Sequence, residues 1–201
     1  MRSLARNIVV VLCWPSAMLA RACAGGLWRC FCLAWARAHL GAASVPADNQ
    51  ILGLIDFEGT RRIRLGRNCR IYKRVRLETR DHGQITIGDN VVLSPGVVIV
   101  AHQDVMIEPY VMVGEYTSIR DQDHELRTPQ PIRESGFTTA TVTIGRDAWI
   151  GRGCCILKGV AIGAGAVIGA NSVVTKDVPP KQIWAGAPAQ SIGQRQQIPP
   201  S

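Results

Sequence analysis

Residues 141–180 read TVTIGRDAWIGRGCCILKGVAIGAGAVIGANSVVTKDVPP, and an aliphatic side chain stands at every sixth position of this stretch. The members of this ladder are Ile144, Ile150, Ile156, Ile162, Ile168 and Val174. An amphipathic helix repeats its apolar face about every 3.6 residues and a half-buried strand every two, so neither explains the spacing. A fixed period marks a repeat protein, in which each repeat is one small structural unit. We interpret each hexapeptide as one short extended segment followed by a turn.

The same ladder continues upstream in sets of three. The sets are Leu65, Ile71 and Leu77; Ile87, Leu93 and Ile99; and Ile107, Val113 and Ile119. Small or β-branched residues usually stand four positions later, and Gly often follows the aliphatic residue, where we expect it to relieve backbone strain at the corner. Three extended segments then make one coil of a triangular prism, and stacked coils bury a continuous aliphatic column. Residues 78–86, 100–106 and 120–143 break the count, and each is predicted to protrude as a loop.

The composition agrees with an aliphatic core in one domain plus an appendage. The chain has 201 residues, of which 47% are apolar but only 5% aromatic, and Gly occurs 20 times. This length is sufficient to bury a real core. The seven Cys residues are odd in number and show no CxxC spacing, so they indicate neither a zinc site nor a disulfide framework. We expect reduced, buried thiols.

The net charge of +8 is concentrated in two zones. Residues 1–44 carry five Arg and no acidic residue, and residues 61–80 carry nine basic residues against one acid, Glu78. The second zone is either a solvated face of the prism or a surface that attracts anionic lipid or a pyrophosphate-linked carrier. Nucleic acid is not an expected partner, because only Tyr72 interleaves these charges and stacking on bases needs aromatic rings.

The first 44 residues form an apolar segment that Arg interrupts repeatedly. The longest uncharged run, residues 7–20, contains Pro15 and is shorter than the ~18–20 apolar residues that span a bilayer. Tryptophans alternate with arginines, which is typical of helices in the membrane interface. These tryptophans are Trp14, Trp28 and Trp35. We predict peripheral contact with anionic membrane, with an apolar cap or self-association segment and a cleaved signal peptide as alternatives.

The repeat resembles that of the hexapeptide-repeat acyltransferases. The most specific pieces are VTIGRDAWIG at 142–151, VIGANSVVTKDVPP at 167–180 and AGAPA at 185–189, which are similar to the maltose and galactoside acetyltransferases and to acetyltransferases of exopolysaccharide biosynthesis. The resemblance implies an all-β fold, a left-handed parallel β-helix with an apolar helical N-terminal extension and a short C-terminal tail. The expected boundaries are 1–44 for the helical segment, 45–62 for a linker, 63–179 for the β-helix with an active-site loop at 120–143, and 180–201 for a C-terminal cap and flexible tail.

The resemblance also implies the catalytic residues. His124 holds the place of the family's general base, which takes the proton from an acceptor hydroxyl as its oxygen attacks the acetyl thioester. Asp123 and Asp121 flank it as candidates for orienting the imidazole, and Asp123 is our predicted catalytic partner. His102 and Ser94 match positions that contact the acceptor in the family, although an ordinary surface histidine remains an alternative for His102.

Acetyl-CoA is the implied co-substrate, and no metal is expected. Its pantetheine arm and phosphates are predicted to contact four positions along the last coils: Arg152, Ala170, Thr175 and Lys176. At Arg152 the backbone N–H matters most, since it can polarise the thioester carbonyl. The resemblance further implies a homotrimer, a sugar or polysaccharide-precursor acceptor, and a cytoplasmic location, with peripheral attachment to the inner face of the membrane.

Other functions on the same repeat remain open. An N-acetyltransferase of an amino sugar or of a drug differs only in the acceptor pocket, and a non-catalytic assembly scaffold needs no pocket at all. The γ-type carbonic anhydrases share the prism and bind zinc with three histidines. His82, His102 and His124 lack the closely spaced pair of that site, so a zinc enzyme is disfavoured.

Overall fold

The computed structural model describes residues 24–196, and it shows three parallel β-sheets that form the three faces of a prism. Sheet A contains eight strands, sheet B six and sheet C five. Each strand hydrogen-bonds with the strand one coil before it and one coil after it. The six-residue ladder therefore builds the predicted left-handed parallel β-helix, and the fold class is confirmed.

The first three coils each contribute one strand to every sheet. Coil 1 contains β1 (Gln50–Ile51), β2 (Asp56–Gly59) and β3 (Ile63–Leu65). Coil 2 contains β4 (Arg70–Ile71), β5 (Arg76–Thr79) and β6 (Gln84–Ile87). Coil 3 contains β7 (Val92–Leu93), β8 (Val98–Ala101) and β9 (Asp104–Ile107).

The later coils carry one hairpin outside the prism and a second at its end. Coil 4 contains β10 (Met112–Val113) and β11 (Ser118–Arg120), then the hairpin of β12 (Gln122–His124) and β13 (Phe137–Thr139) around a 3-10 turn (Ile132–Glu134), and finally β14 (Val142–Ile144). Coil 5 contains β15 (Trp149–Ile150), β16 (Cys155–Ile156) and β17 (Ala161–Ile162), and coil 6 contains β18 (Val167–Ile168) and β19 (Val173–Val174). The antiparallel strands β20 (Gln182–Gly186) and β21 (Ala189–Gln194) close the chain's last coil.

The ladder residues form aligned columns inside the prism. In sheet A, Ile71 pairs with Leu93, Leu93 with Val113 and Val113 with Ile150, and all of these side chains are buried. Full burial of one such aliphatic side chain stabilises the fold by about 1.5–3 kcal/mol. The repeat thus supplies one large buried side chain per face, and the column provides the continuous core expected from the sequence.

The corners use glycine differently from our expectation. The left-handed backbone conformation occurs three positions after each ladder residue, where Asn68, Asn90 and Asn171 have φ of 55–58°. The glycine directly after the ladder residue is needed for space. A Cβ on Gly114 would lie 2.5 Å from the backbone N of Arg152, and one on Gly151 would lie 2.7 Å from that of Ala170. These glycines allow neighbouring coils to approach closely, and strain relief at the turn is not their role.

Of the three predicted loops, only residues 120–143 form one. The breaks at 78–86 and 100–106 instead lengthen the strands on both sides of short turns, so that β5 and β8 pair over four residues, as do β6 and β9. The extra residues keep their backbone hydrogen bonds within the sheets, which is why they do not protrude. Residues 120–143 return as the β12–β13 hairpin.

The β-helix also begins earlier than predicted. Residues 45–62, expected to be a linker, contain β1 and β2, which pair with β4 and β5 in parallel register. The regular count was missed because an aromatic residue, Phe57, stands opposite Leu77 at a ladder position. The first coil is therefore part of the prism.

A helix, α1, spans residues 24–40 and covers the first coil. Cys32 and Ala36 are fully buried in the core, and the ring of His39 lies 6.0 Å from that of Phe57 in β2. Within residues 24–196, no helix is long and apolar enough to cross a membrane. The predictions for residues 1–23 and for the flexible tail at 197–201 fall outside the described residues.

The described cysteines are all free thiols, but they are not all buried. Cys32, Cys69 and Cys154 are fully buried, whereas Cys30 and Cys155 are exposed, so the expectation of buried thiols is wrong for these two. Burial raises the pKa of the Cys69 thiol to about 11 and also raises the pKa of Cys154. The adjacent residues Cys154 and Cys155 point to opposite sides of the prism wall.

Candidate active site

The corners that link sheet B to sheet C stack along one edge of the prism, which we call the B/C edge. The turns of coils 2 and 3 and the hairpin of coil 4 meet there around a cleft of about 740 Å³. Its lining residues are mostly polar and charged: Glu78, Arg80, Asp81, Val100, His102, Arg120, Gln122, Asp123, His124 and Phe137. The cleft lies where the regular repeat is interrupted.

His102 is held in the cleft by an acidic partner. It lies in the turn between β8 and β9, and its Nδ1 is 3.2 Å from Oδ2 of Asp81 in the corresponding turn of coil 2. The His102 side chain is only 9% exposed. A carboxylate that accepts a hydrogen bond from Nδ1–H fixes the tautomer and leaves Nε2 free to accept a proton. His102 therefore has the geometry of an oriented imidazole.

Asp121 supports the same turn from below. Its side chain is fully buried, and its two carboxylate oxygens accept hydrogen bonds from the backbone N–H groups of His102 (2.8 Å) and Gln103 (2.7 Å). Both oxygens are therefore used on the backbone of coil 3. Asp121 positions the His102 turn, and it does not orient His124 as we had considered.

The hairpin brings His124 to the rim of the cleft. His124 stands directly opposite Phe137 across the β12–β13 pair, and their ring centroids are 4.5 Å apart. The Phe137 ring also lies 4.8 Å from that of His102. Gln103 ties the returning strand to the prism through Thr139 and Thr141. Phe137 thus contacts both imidazoles and sets their relative position.

The predicted pair of Asp123 and His124 is not formed. Successive residues of a strand point to opposite sides, and the carboxylate of Asp123 lies 3.8 Å from Nζ of Lys158 in coil 5. Asp123 still lines the cleft, as a partner of a lysine. Among the described residues, the carboxylate that contacts a cleft imidazole is that of Asp81.

The remaining polar lining can bind a ligand. Nε of Arg80 donates to Glu78 at 2.6 Å, so its charge is compensated, whereas Arg120 has only Ser118 as a side-chain partner within the described residues. Gln122 is 9% exposed, and its Oε1 accepts no hydrogen bond within residues 24–196. Buried polar atoms are nearly always paired, so this oxygen is suited to a donor on a ligand.

The residues predicted to bind acetyl-CoA fall on two edges. Thr175 and Lys176 follow β19 and are exposed at the B/C edge, above the cleft. Arg152 and Ala170 lie at the corners that link sheet A to sheet B, the A/B edge, as does Ser94. The N–H groups of Arg152 and Ala170 donate to no acceptor in the part of the chain that the structure describes. One chain therefore does not bring all the predicted residues together.

Several cleft residues were missed from the sequence. Asp81 stands in the first break of the ladder, and that break was the available signal. Phe137 is one of only three Phe in the chain, but its contact with the histidines depends on the hairpin register. Among residues 24–196, no group of three or more His, Cys, Asp or Glu side chains is arranged to hold a metal ion.

Comparison with known proteins identifies the class of the repeat. Residues 141–176 match the family model described as bacterial transferase hexapeptide (six repeats). The resemblance to hexapeptide-repeat transferases is therefore confirmed on the stretch that carries the regular ladder.

The individual relatives are acyl- and acetyltransferases. A protein of Mycobacterium tuberculosis described as "Probable acetyltransferase" is 33% identical over 115 residues, which cover 57% of this chain and 38% of that protein. The chain thus spans well under half the length of this relative.

Solved structures share the fold at low sequence identity. AntD, an N-acyltransferase from Bacillus cereus in complex with dTDP-4-amino-4,6-dideoxyglucose and coenzyme A, is 19% identical with a TM-score of 0.66, covering 75% of this chain and 83% of that one. PerB from Caulobacter crescentus, in complex with CoA and GDP-perosamine, is 23% identical with a TM-score of 0.56, covering 72% of this chain and 57% of that one.

Proposed function

We propose that this protein is an acyl-CoA-dependent acyltransferase that acetylates a sugar or a sugar-containing precursor. The observation that carries the proposal is the cleft at the break of the repeat, where two imidazoles contact one aromatic ring. The match to the bacterial transferase hexapeptide family and the coenzyme A in the complexes of AntD and PerB support this reaction class.

The proposed chemistry needs one base and one polarising donor. His124, exposed at the rim, accepts the proton of the acceptor as its oxygen attacks the thioester carbonyl. The C–O bond forms, the C–S bond breaks, and the proton passes to the sulfur that leaves as the CoA thiol. The free N–H of Arg152 is suited to stabilise the oxyanion, because backbone donors aimed at developing charge are already oriented.

The acceptor atom is either a hydroxyl or an amine. The sequence motifs favour a sugar hydroxyl, while AntD and PerB are bound to nucleotide-linked amino sugars. Arg120 has no carboxylate partner among the described residues, so it can contact an anionic group such as the pyrophosphate of a nucleotide sugar. We propose O-acetylation as the primary reaction and N-acetylation of an amino sugar as the second candidate.

The complete site is proposed to form between copies of the chain, in a homotrimer. Residues of the B/C edge and of the A/B edge flank sheet B, so two prisms packed side by side can bring the A/B edge of one to the B/C edge of the next. The outer side of sheet A carries an apolar stripe in coils 3 to 6 that such packing would bury. Its members are Val92, Met112, Trp149, Val167 and Ile183. A cytoplasmic location is part of the proposal, because acetyl-CoA is made there.

The test is an acceptor screen with purified protein and acetyl-CoA. Release of the CoA thiol and mass of the product are measured with sugars and nucleotide sugars that offer only hydroxyls or also an amine. His124→Ala is expected to reduce kcat by about 10²–10⁴ in a chain that still folds. His82→Ala is the matched control, since His82 is exposed and does not line the cleft.

Each outcome separates the candidates. Product from an amino sugar alone replaces O-acetylation with N-acetylation. A folded protein that releases no thiol with any acceptor, with His124→Ala indistinguishable from the parent, contradicts the enzyme proposal and favours the assembly scaffold.

A further inference from the structure

We propose that the coil 1 end of the prism is a docking surface for an anionic phospholipid bilayer. This inference does not depend on the proposed reaction. It rests on two features at the same end of the molecule: the unpacked part of α1, and a ring of basic residues around coils 1 and 2.

The first part of α1 has no packing partner in the described chain. Residues 24–31 are exposed around the whole helix, and burial begins only at Cys32. Leu27 is 73% exposed, Trp28 47% and Phe31 51%, and the rings of Trp28 and Phe31 stack at 5.6 Å. Trp35 continues the same apolar ridge one turn later and is 38% exposed. Burying this ridge would release ordered water from large apolar side chains, so it favours a partner with an apolar interior.

The charge of the molecule is concentrated at the same end. Residues 61–74 contain seven basic residues and no acid, whereas residues 75–196 contain 11 basic and 12 acidic residues. Almost the whole positive surplus of the described chain therefore lies in α1 and coils 1 and 2. The rest of the prism is nearly neutral.

The repeat arranges these charges as a ring around the prism. Arg61 and Arg62 lie at the B/C corner, Arg64 on sheet C, Arg67 at the corner between sheets C and A, Arg70 on sheet A, and Lys73 and Arg74 at the A/B corner. All seven are exposed. Within residues 24–196, the carboxylate near any of them is Asp48, 3.9 Å from Nε of Arg67. The ring is thus largely uncompensated.

The height of the ring matches the reach of a charged surface. Adjacent coils are about 4.8 Å apart, so coils 1 and 2 lie within roughly 10 Å of the prism end. The Debye length is about 8 Å at physiological ionic strength. If the prism stands with coil 1 on the bilayer, the basic side chains on all three faces lie within the attractive field of anionic lipid headgroups. A patch on one face would suit a protein or a nucleic acid, but a ring around one end suits a plane.

The two features fit one mode of attachment. Tryptophan and phenylalanine are suited to the headgroup–acyl boundary, and arginines beside them to lipid phosphates. A homotrimer of parallel prisms would present three such ends to the same plane, which strengthens attachment by multivalency. The cleft at coils 2 to 4 would then lie a short distance above the lipid surface.

The experiment is co-sedimentation of the full chain with vesicles of phosphatidylcholine alone or with phosphatidylserine, at low and high salt. Two variants remove the two features separately: Trp28→Ser with Phe31→Ser, and Arg64→Glu with Arg74→Glu. The control is Arg127→Glu with Arg133→Glu, which makes the same charge change at exposed positions of the hairpin. Circular dichroism and sedimentation velocity of each variant verify folding and oligomeric state.

We expect binding to phosphatidylserine vesicles that weakens with salt, falls by tenfold or more in both variants, and is unchanged in the control; each basic residue near the surface contributes about a fivefold change in affinity. Equal binding of all four proteins, or none by the full chain, overturns the proposal. A Trp28/Phe31 variant that changes oligomeric state and keeps vesicle binding shows instead that the ridge packs against another copy.

Discussion

At the scale of single residues, the two cleft histidines differ in their surroundings. His102 is nearly buried, contacts Asp81 and stands on a turn fixed by Asp121, whereas His124 is exposed and contacts only the ring of Phe137. A base at the rim can reach a substrate from either prism, and an oriented, buried imidazole can hold the acceptor in place. The geometry thus fits a division between proton transfer at His124 and acceptor positioning at His102.

The two acidic neighbours provide a matched pair of variants. Asp81→Asn is expected to raise KM for the acceptor by about tenfold, because it removes the charged partner that orients His102. Asp123→Asn is expected to change kcat/KM by less than about threefold, because its carboxylate faces Lys158. Steady-state kinetics with a common acceptor measure both. A large loss in Asp123→Asn with an unaffected Asp81→Asn would restore Asp123 as the catalytic partner.

A second residue-scale prediction concerns Asp121. Asp121→Asn replaces one acceptor oxygen by an NH₂ group facing a backbone N–H in a fully buried site, and this should reduce the free energy of unfolding by about 1–3 kcal/mol. Urea denaturation followed by circular dichroism measures the change. Asp89→Asn is a comparable control, because Asp89 accepts one hydrogen bond, from Arg67 N–H, at an exposed corner. Equal effects in the two variants would show that Asp121 is not specially important for the turn.

At the scale of the element, the hexapeptide itself can be tested through its cysteines. Cys155 and Cys30 should react with a maleimide in the native protein, while Cys69, Cys154 and Cys32 should react only after unfolding. Burial blocks access, and it also raises the pKa of Cys69 to about 11, so that little thiolate is present at pH 8. Mass spectrometry of labelled peptides measures each site. Native labelling of Cys154 together with protection of Cys155 would mean that the register of coil 5 is shifted by one residue.

At the scale of the whole molecule, the outer side of sheet A distinguishes a monomer from an assembly. Trp149→Glu is expected to dissociate the proposed trimer, because it places a charge in the centre of the apolar stripe. Met106→Glu is the control, since Met106 is 46% exposed on sheet C. Light scattering after size-exclusion chromatography measures the mass. A parent protein that is monomeric at micromolar concentration, or a trimer that survives Trp149→Glu, contradicts this interface.

The sequence by itself determined the prism. A strict six-residue period admits one short strand and one turn per repeat, so the identity of the buried ladder and the parallel stacking followed from local pattern alone. It also indicated the functional edge, because the long interruption at 120–143 left a polar segment containing His124 that could not join the core. The first coil was missed, since Phe57 replaced an aliphatic residue and two short strands carry little periodic signal.

Only the tertiary structure decided which side chains meet. Asp81, His102 and His124 are separated by about one coil each along the chain, and a contact between successive coils depends on how long each turn is and on whether an interruption lengthens strands or leaves the prism. The same is true of Asp123, whose neighbour in sequence is His124 but whose contact in space is Lys158. Strand alternation fixes that choice once β12 pairs with β13, and this pairing is a long-range property that six-residue periodicity does not contain.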